Sequence, residues 1–145
     1  MIGKGTFFKQ VALVAGAFLS IVSAASSAEI NWRDVDSGMK EGKQAHKYVL
    51  ADVYTDWCGF CKKLDRDTFS NPELSQFISE KFVPVKAKAD DSGAGQKLKN
   101  DYGVEGYPCA LVFDPDGNLI GRIIGFKDAQ EYQKALKNII EHINE

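Results

Sequence analysis

A short apolar run, followed after three residues by a pair of cysteines, limits the fold of this chain more than any other feature. The run, Tyr48–Tyr54 (YVLADVY), is nearly continuous in apolar residues, which is typical of a central strand covered on both faces. Cys58 and Cys61 come where this strand should give way to a helix. A strand covered on both faces needs helices on either side of its sheet, so the pattern predicts an α/β fold.

The rest of the chain alternates between helical and strand patterns. Strand patterns cover residues 83–89, 109–113 and 119–124. Helical patterns cover residues 32–45, 59–69, 72–82 and 92–102, and the stretch that begins at Asp128. A turn signal, DPDGN, joins the last two strands as a hairpin. Asp36 or Ser37 is the expected cap of the first helix, and Asp128 that of the last. This order predicts a central mixed β-sheet flanked by helices on both faces.

The N-terminal segment has the pattern of a secretory signal peptide. Two lysines precede an apolar run of 12 residues, VALVAGAFLSIV, and small residues follow. This run is shorter than the roughly 20 residues needed to span a bilayer. We predict a signal peptide at residues 1–28, cleaved near Ala28, and an exported, periplasmic domain at residues 29–145. An uncleaved N-terminal anchor, with the domain facing the periplasm, is the alternative.

Composition narrows the function further. The 145 residues carry a formal net charge of -2, without the basic excess typical of a nucleic-acid partner. Three cysteines are too few for a small disulfide scaffold. A domain of this size can bury a core without disulfides, so a chemical use for the cysteines is expected.

The Cys58-x-x-Cys61 spacing suits a redox dithiol, within the motif WCGFC. Positions i and i+3 of a helical turn lie on the same face, so the two thiols can form a disulfide with little backbone movement. Cys58 would lie at the helix N-terminus, where free N–H groups and the helix dipole favour a thiolate, the nucleophilic form. Cys61, one turn further and more shielded, would resolve the mixed disulfide.

Other uses of a Cys-x-x-Cys pair have less support. A zinc site needs a second pair of ligands, and His46, His142 and Cys109 do not stand at metal-ligand spacing. A purely structural disulfide would close only a four-residue segment and would remove little chain entropy. We assign no metal ligand, and keep a non-enzymatic module that binds a metal such as copper as an alternative.

The motifs around the cysteines resemble those of the thioredoxin superfamily. They are DVYTDWCGFCK at residues 52–62 and GYPCALVF at residues 106–113. The opening helix and residues 71–82 look most like the exported thioredoxin-like group, which includes the C-terminal domain of the thiol:disulfide interchange protein DsbD. The resemblance covers nearly all of residues 29–145 and implies a thioredoxin fold.

The resemblance also assigns roles to residues outside the cysteine pair. Pro108 matches the cis-proline that faces the pair, and the Tyr107 backbone would then be free to pair with an extended client segment. Asp52 matches the buried acid beneath the disulfide, whose raised pKa would suit proton transfer to or from Cys61. Lys86 matches the lysine that neighbours this acid.

Three further positions complete the site that the resemblance implies. Trp57 matches the tryptophan that covers the site, whereas Gly59-Phe60 stands where thioredoxins have Gly-Pro. The predicted substrate-binding residues are Trp57, Gly59, Phe60, Tyr107 and Pro108. Cys109 stands where thioredoxins usually carry threonine. It is expected close to the disulfide, either as a small buried hydrophobe or as a third thiol that exchanges with the pair.

Taken together, these features predict an exported thiol:disulfide oxidoreductase that reduces disulfides in client proteins, including clients of cytochrome c maturation. The dithiol carries the electrons, so no dissociable cofactor is expected. Because the exported compartment is oxidising, a membrane thiol protein would have to supply the electrons. A DsbA-like oxidase or isomerase is the alternative, although the chain has no room for the inserted helical domain that such oxidases carry.

Overall fold

The computed structural model describes residues 29–142, which form a four-stranded sheet with helices on both faces. In chain order the elements are α1 (Val35–Ala45), β1 (Tyr48–Tyr54), α2 (Gly59–Lys63), a π-helical turn (Leu64–Thr68), α3 (Pro72–Lys81), β2 (Phe82–Lys88), α4 (Ala94–Asp101), β3 (Cys109–Phe113), β4 (Leu119–Ile124) and α5 (Ala129–Glu141). The predicted signal peptide lies outside the described residues. Among residues 29–142, no helix combines the length and the apolar character needed to cross a membrane.

The sheet has the strand order β2-β1-β3-β4. β1 is parallel to β2 and antiparallel to β3, and β4 is antiparallel to β3. β1 thus lies between two other strands, and its five middle residues are all buried. This position explains why the run at Tyr48–Tyr54 is almost continuously apolar. The mixed sheet confirms the predicted α/β class.

Side chains of β1 alternate between two hydrophobic cores, one on each face of the sheet. Leu50 belongs to what we call the α3/α5 core, which also contains Leu74, Ile78, Tyr132 and Leu136. Val49, Ala51 and Val53 belong to the α1/α4 core, which also contains Val85, Leu98, Cys109 and Leu111. By this alternation Asp52 faces the α3/α5 side. The site acid and the residues beside it in β1 therefore point to opposite faces.

Three predicted details of the helices were wrong. The first helix begins at Val35 rather than at residue 32, because Arg33 instead pairs with Val85 in a short parallel bridge. Asp34, rather than Asp36 or Ser37, caps α1, and its carboxylate accepts the backbone N–H of Ser37 at 2.9 Å. Asp34 is the residue whose backbone is still extended, with ψ 167°, as a cap requires. The helix predicted at residues 59–69 is divided between α2 and the π-helical turn. In that turn the Phe69 N–H donates to the carbonyl of Leu64, five residues earlier, at 3.0 Å.

The predicted start of a helix at residue 72 and the predicted cap Asp128 were confirmed. Pro72 occupies the first turn of α3, after Asn71 as its cap. Asp128 caps α5 and forms a capping box with Glu131. Such caps satisfy backbone N–H groups that have no partner within the helix. Both helices cover the same face of the sheet, above Asp52.

Candidate active site at the Cys58–Cys61 disulfide

Cys58 and Cys61 form a disulfide where β1 gives way to α2. Cys58 is the cap residue of α2, and its sulfur accepts the backbone N–H of Cys61 at 3.1 Å. The two α-carbons are 5.3 Å apart, within the usual range for a disulfide. Cys58 is 5% exposed and Cys61 2%. When the bond opens, the sulfur of Cys58 lies beside an N–H group that can stabilise a thiolate.

Exposed aromatic side chains stand beside this buried disulfide. Trp57 is 71% exposed and Phe60 63%. The ring of Trp57 meets that of Tyr107 edge-on, with centroids 5.8 Å apart. The Tyr107–Pro108 peptide bond is cis and lies just before β3. Apart from its chain neighbours and the backbone of its own helix, no described atom lies within 4 Å of the place where a Cβ on Gly59 would be. Apart from Pro108, which is buried, the predicted substrate-binding residues thus lie on an open surface around the disulfide.

Asp52 is fully buried on the α3/α5 side of the sheet. It stands opposite Lys86 in the parallel register of β1 and β2, and Nζ of Lys86 donates to its Oδ2 at 2.7 Å. Burial raises the pKa of Asp52 above its ordinary value, Lys86 works against this rise, and Asp65 adds to it. The other carboxylate oxygen, Oδ1, has no hydrogen-bond partner within residues 29–142.

Lys86 is held by a second carboxylate and by three rings. It pairs with Asp65 of the π-helical turn. Its Nζ lies 4.7 Å from the ring centre of Trp32, 5.2 Å from that of Tyr54 and 5.4 Å from that of Phe69. Burial works to lower the pKa of Lys86, but its carboxylate partners raise the pKa above its ordinary value in total. Lys86 is therefore a fixed cation beside Asp52.

Asp65 and Trp32 also belong to the site, although neither was predicted from the sequence. Asp65 follows Cys61 by four residues, so one helical turn places it on the same side as the resolving cysteine. That spacing is the signal that could have found it. Trp32 precedes α1 and approaches Lys86 through the tertiary fold, which leaves no mark in the local pattern.

Cys109 packs on the opposite face from Asp52. It stands opposite Val53 in the register of β1 and β3, whereas its neighbour Ala110 stands opposite Asp52. Cys109 is buried in the α1/α4 core and forms no disulfide in the structure. Burial raises the pKa of the Cys109 thiol, Arg122 works against this, and Asp52 adds to it. A buried thiol that stays protonated is a weak nucleophile.

Residues 29–142 contain no group of three or more His, Cys, Asp or Glu side chains placed to hold a metal ion.

Comparisons with known proteins agree with this architecture. A family model described as a thioredoxin-like domain matches residues 35–140. The thiol:disulfide interchange protein DsbD of Photorhabdus laumondii is 30% identical over 111 residues, which is 75% of this chain and 19% of that protein. The chain therefore spans about a fifth of the length of this relative.

Two solved structures are similar to the chain. The oxidised C-terminal domain of DsbD from Neisseria meningitidis has a TM-score of 0.60 and 26% identity, over 74% of this chain and 97% of that one. A thioredoxin from Thermus thermophilus has a TM-score of 0.71 and 22% identity, over 77% of this chain and 88% of that one. The second likeness concerns the fold alone, which is the thioredoxin fold.

Proposed function

Because the chain belongs to the thioredoxin-like domain family, we propose that it is a thiol:disulfide oxidoreductase that reduces disulfides in exported client proteins. The observation that carries this proposal is the Cys58–Cys61 disulfide at the start of α2, on the same strand-helix unit as the buried carboxylate of Asp52. The similarity to a thiol:disulfide interchange protein supports the same class of reaction.

The reaction begins with the reduced dithiol. The Cys58 thiolate attacks one sulfur of the client disulfide, forms a mixed disulfide and releases the other client sulfur as a thiolate, which takes up a proton. Cys61 then gives its proton to Asp52, and its thiolate attacks the sulfur of Cys58. The Cys58–Cys61 bond forms, and the second client sulfur leaves as a thiolate that takes up the proton held by Asp52, so Asp52 is again a carboxylate. Counting the proton that Cys58 released to solvent when it became a thiolate, the dithiol loses two electrons and two protons, and the client gains both.

The raised pKa of Asp52 suits it to this proton transfer. A carboxylate with an ordinary pKa is too weak a base to take a proton from a thiol at neutral pH, and burial strengthens it. Lys86 holds Oδ2 and so fixes the orientation of the carboxylate. The exposed rings of Trp57 and Phe60 give a client segment apolar surface to contact.

Net reduction requires a source of electrons. In an oxidising compartment the pair would otherwise remain a disulfide, so we propose that a membrane thiol protein reduces Cys58–Cys61. The DsbD similarity supports a location that faces the periplasm, in line with the signal peptide predicted at residues 1–28. Cytochromes c awaiting haem attachment are one class of client with paired cysteines.

The equilibrium reduction potential in glutathione buffers tests the direction of electron flow. A potential near or below about −220 mV supports the reductase. A potential near about −120 mV would instead indicate a DsbA-like oxidant and contradict the proposed direction.

Cysteine variants test the division of labour. Cys61→Ser should accumulate mixed disulfides with clients, because the thiol that resolves them is gone, whereas Cys58→Ser should trap none and lose activity. Cys109→Ser is the matched control and should behave as the parent protein, since this thiol lies on the other face of the sheet. Failure of Cys61→Ser to trap any client would contradict the assigned roles.

A further inference from the structure

Two buried polar atoms on the α3/α5 side of the sheet lack a hydrogen-bond partner among residues 29–142. They are Oδ1 of Asp52 and the hydroxyl of Tyr132. Asp52 is 0% exposed and Tyr132 1%. Buried polar groups in folded proteins nearly always have a partner, either protein or ordered water. Two unpartnered atoms on one face of the sheet therefore need an explanation.

Tyr132 is connected to Asp52 through a short series of contacts. Its ring meets the ring of Phe69 edge-on, with centroids 5.2 Å apart. The Phe69 ring centre is 5.4 Å from Nζ of Lys86, which donates to Oδ2 of Asp52 at 2.7 Å. The carboxylate of Asp52 also acts on Tyr132 electrostatically. Phe69 and Lys86 thus connect the two side chains on this side of the sheet.

The two unpartnered atoms have complementary chemistry. Lys86 occupies Oδ2, so Oδ1 is the carboxylate oxygen left to accept a bond. Burial raises the pKa of Tyr132 well above its ordinary value, and Asp52, Cys109 and Asp65 add to the rise. Tyr132 therefore keeps its proton and can donate. The groups that act on Asp52 are Lys86 of β2 and Asp65 of the π-helical turn. Those that act on Tyr132 are Asp52 of β1, Cys109 of β3 and Asp65.

We propose that Tyr132 is a positioning residue for the redox site, because its hydroxyl and Oδ1 of Asp52 share one buried water. The water accepts from the Tyr132 hydroxyl and donates to Oδ1, which satisfies both atoms. Hydrogen bonds to a carboxylate favour its ionised form. Tyr132 thereby sets the pH at which Asp52 can take up the proton of Cys61. This inference rests on the proposed function in that Asp52 serves there as the base.

The substitution Tyr132→Phe tests the proposal, because it removes the hydroxyl and keeps the ring against Phe69. The readout is the NMR titration of the Asp52 carboxyl carbon in the oxidised protein, which needs no client and no activity. Loss of one bond to the ionised carboxylate should move the titration midpoint upward by about one pH unit. Tyr102→Phe is the matched control and should leave the midpoint unchanged, because Tyr102 packs on Phe113 in the other core.

An Asp52 midpoint that is the same in Tyr132→Phe and in the parent protein would overturn the proposal. A second measurement uses the pH dependence of the reduction of a small disulfide. Tyr132→Phe should move this dependence in the parent protein and have no effect when Asp52→Asn is already present. An equal effect in both backgrounds would mean that Tyr132 acts elsewhere, and would also overturn it. If the Asp52 midpoint moves while disulfide reduction does not respond to pH, the proposed role of Asp52 as base fails and the Tyr132 contact stands.

Discussion

Replacing Asp52 with asparagine should make the oxidised protein more stable at neutral pH. The carboxylate is completely buried, one of its oxygens has no partner in residues 29–142, and burial raises its pKa despite the bond to Lys86. In the unfolded chain the same carboxyl is in water, where its pKa is about 3.9. As the pH rises above that value the unfolded state releases this proton first. The folded state is then penalised, because it binds the proton more tightly.

The size of the effect follows from proton linkage. One proton corresponds to about 1.4 kcal/mol of unfolding free energy per pH unit. Between about pH 3.9 and the raised pKa of Asp52 in the folded state, the contribution of Asp52 to the free energy of unfolding falls by up to this amount per pH unit. Above that pKa the contribution is constant. Asp52→Asn has no such proton. The free energy of unfolding of the variant, relative to that of the parent protein, should therefore rise over the same pH range and then level off. Removing Asp52 leaves no buried cation without a partner, because Lys86 still pairs with Asp65 and its side chain is partly exposed.

Urea unfolding of the oxidised parent protein and variant, from about pH 4 to about pH 9, measures this difference. The raised pKa of Lys86 also stabilises the folded protein. This stabilisation is lost only when the pH rises above the ordinary pKa of lysine, so it is present throughout the measured range. Asp116→Asn, in the exposed turn between β3 and β4, is the matched control and should give a curve parallel to that of the parent protein. If Asp52→Asn also gives a parallel curve, the folded protein does not hold Asp52 with a raised pKa and the reasoning is refuted.

Two further predictions concern packing and client contact. A Cβ on Gly95 would lie 2.1 Å from the carbonyl oxygen of Lys88, so Gly95→Ala should lower the free energy of unfolding in urea by about 1–3 kcal/mol. Gly106→Ala, whose new Cβ would have no described atom within 4 Å beyond its own residue and its chain neighbours, should change it by less than about 0.5 kcal/mol. Trp57→Ala and Phe60→Ala should slow the reduction of protein disulfides and leave that of oxidised glutathione unchanged, since both side chains are largely exposed; equal slowing with both substrates would contradict a role in client contact.

Much of the sheet could be predicted because its sequence signals are local. The bounds of β1, β3 and β4 coincide with those predicted, since a buried apolar run and the DPDGN turn mark them directly. The start of α1 was predicted less well, because three side chains between Asp34 and Ser37 can all act as caps and only the backbone conformation selects one. The π-helical turn leaves the apolar pattern unchanged, so nothing in the sequence separates it from α2.

The site was predictable to the extent that neighbouring strands bring its residues together. Asp52 and Lys86 were found through family resemblance, and the parallel register places them opposite each other. Trp32, Asp65 and Tyr132 approach this pair from other elements of the fold. The spacing of Asp65 from Cys61 could have indicated its place, whereas the approach of Trp32 and Tyr132 depends on tertiary packing, which single-sequence patterns do not encode.

The register of β3 against β1 places the third thiol on the face of the sheet away from Asp52. Asp52 and Ala110 share one register position and point to the α3/α5 face, whereas Val53 and Cys109 share the next and point to the other. Because side chains alternate with a period of two, a slip of one residue would exchange the two faces and bring Cys109 to the face of Asp52. Such a slip would also turn Leu111 and Phe113 out of the α1/α4 core. The apolar pattern of β3 therefore builds the α1/α4 core and places Cys109 in it, on the face away from Asp52.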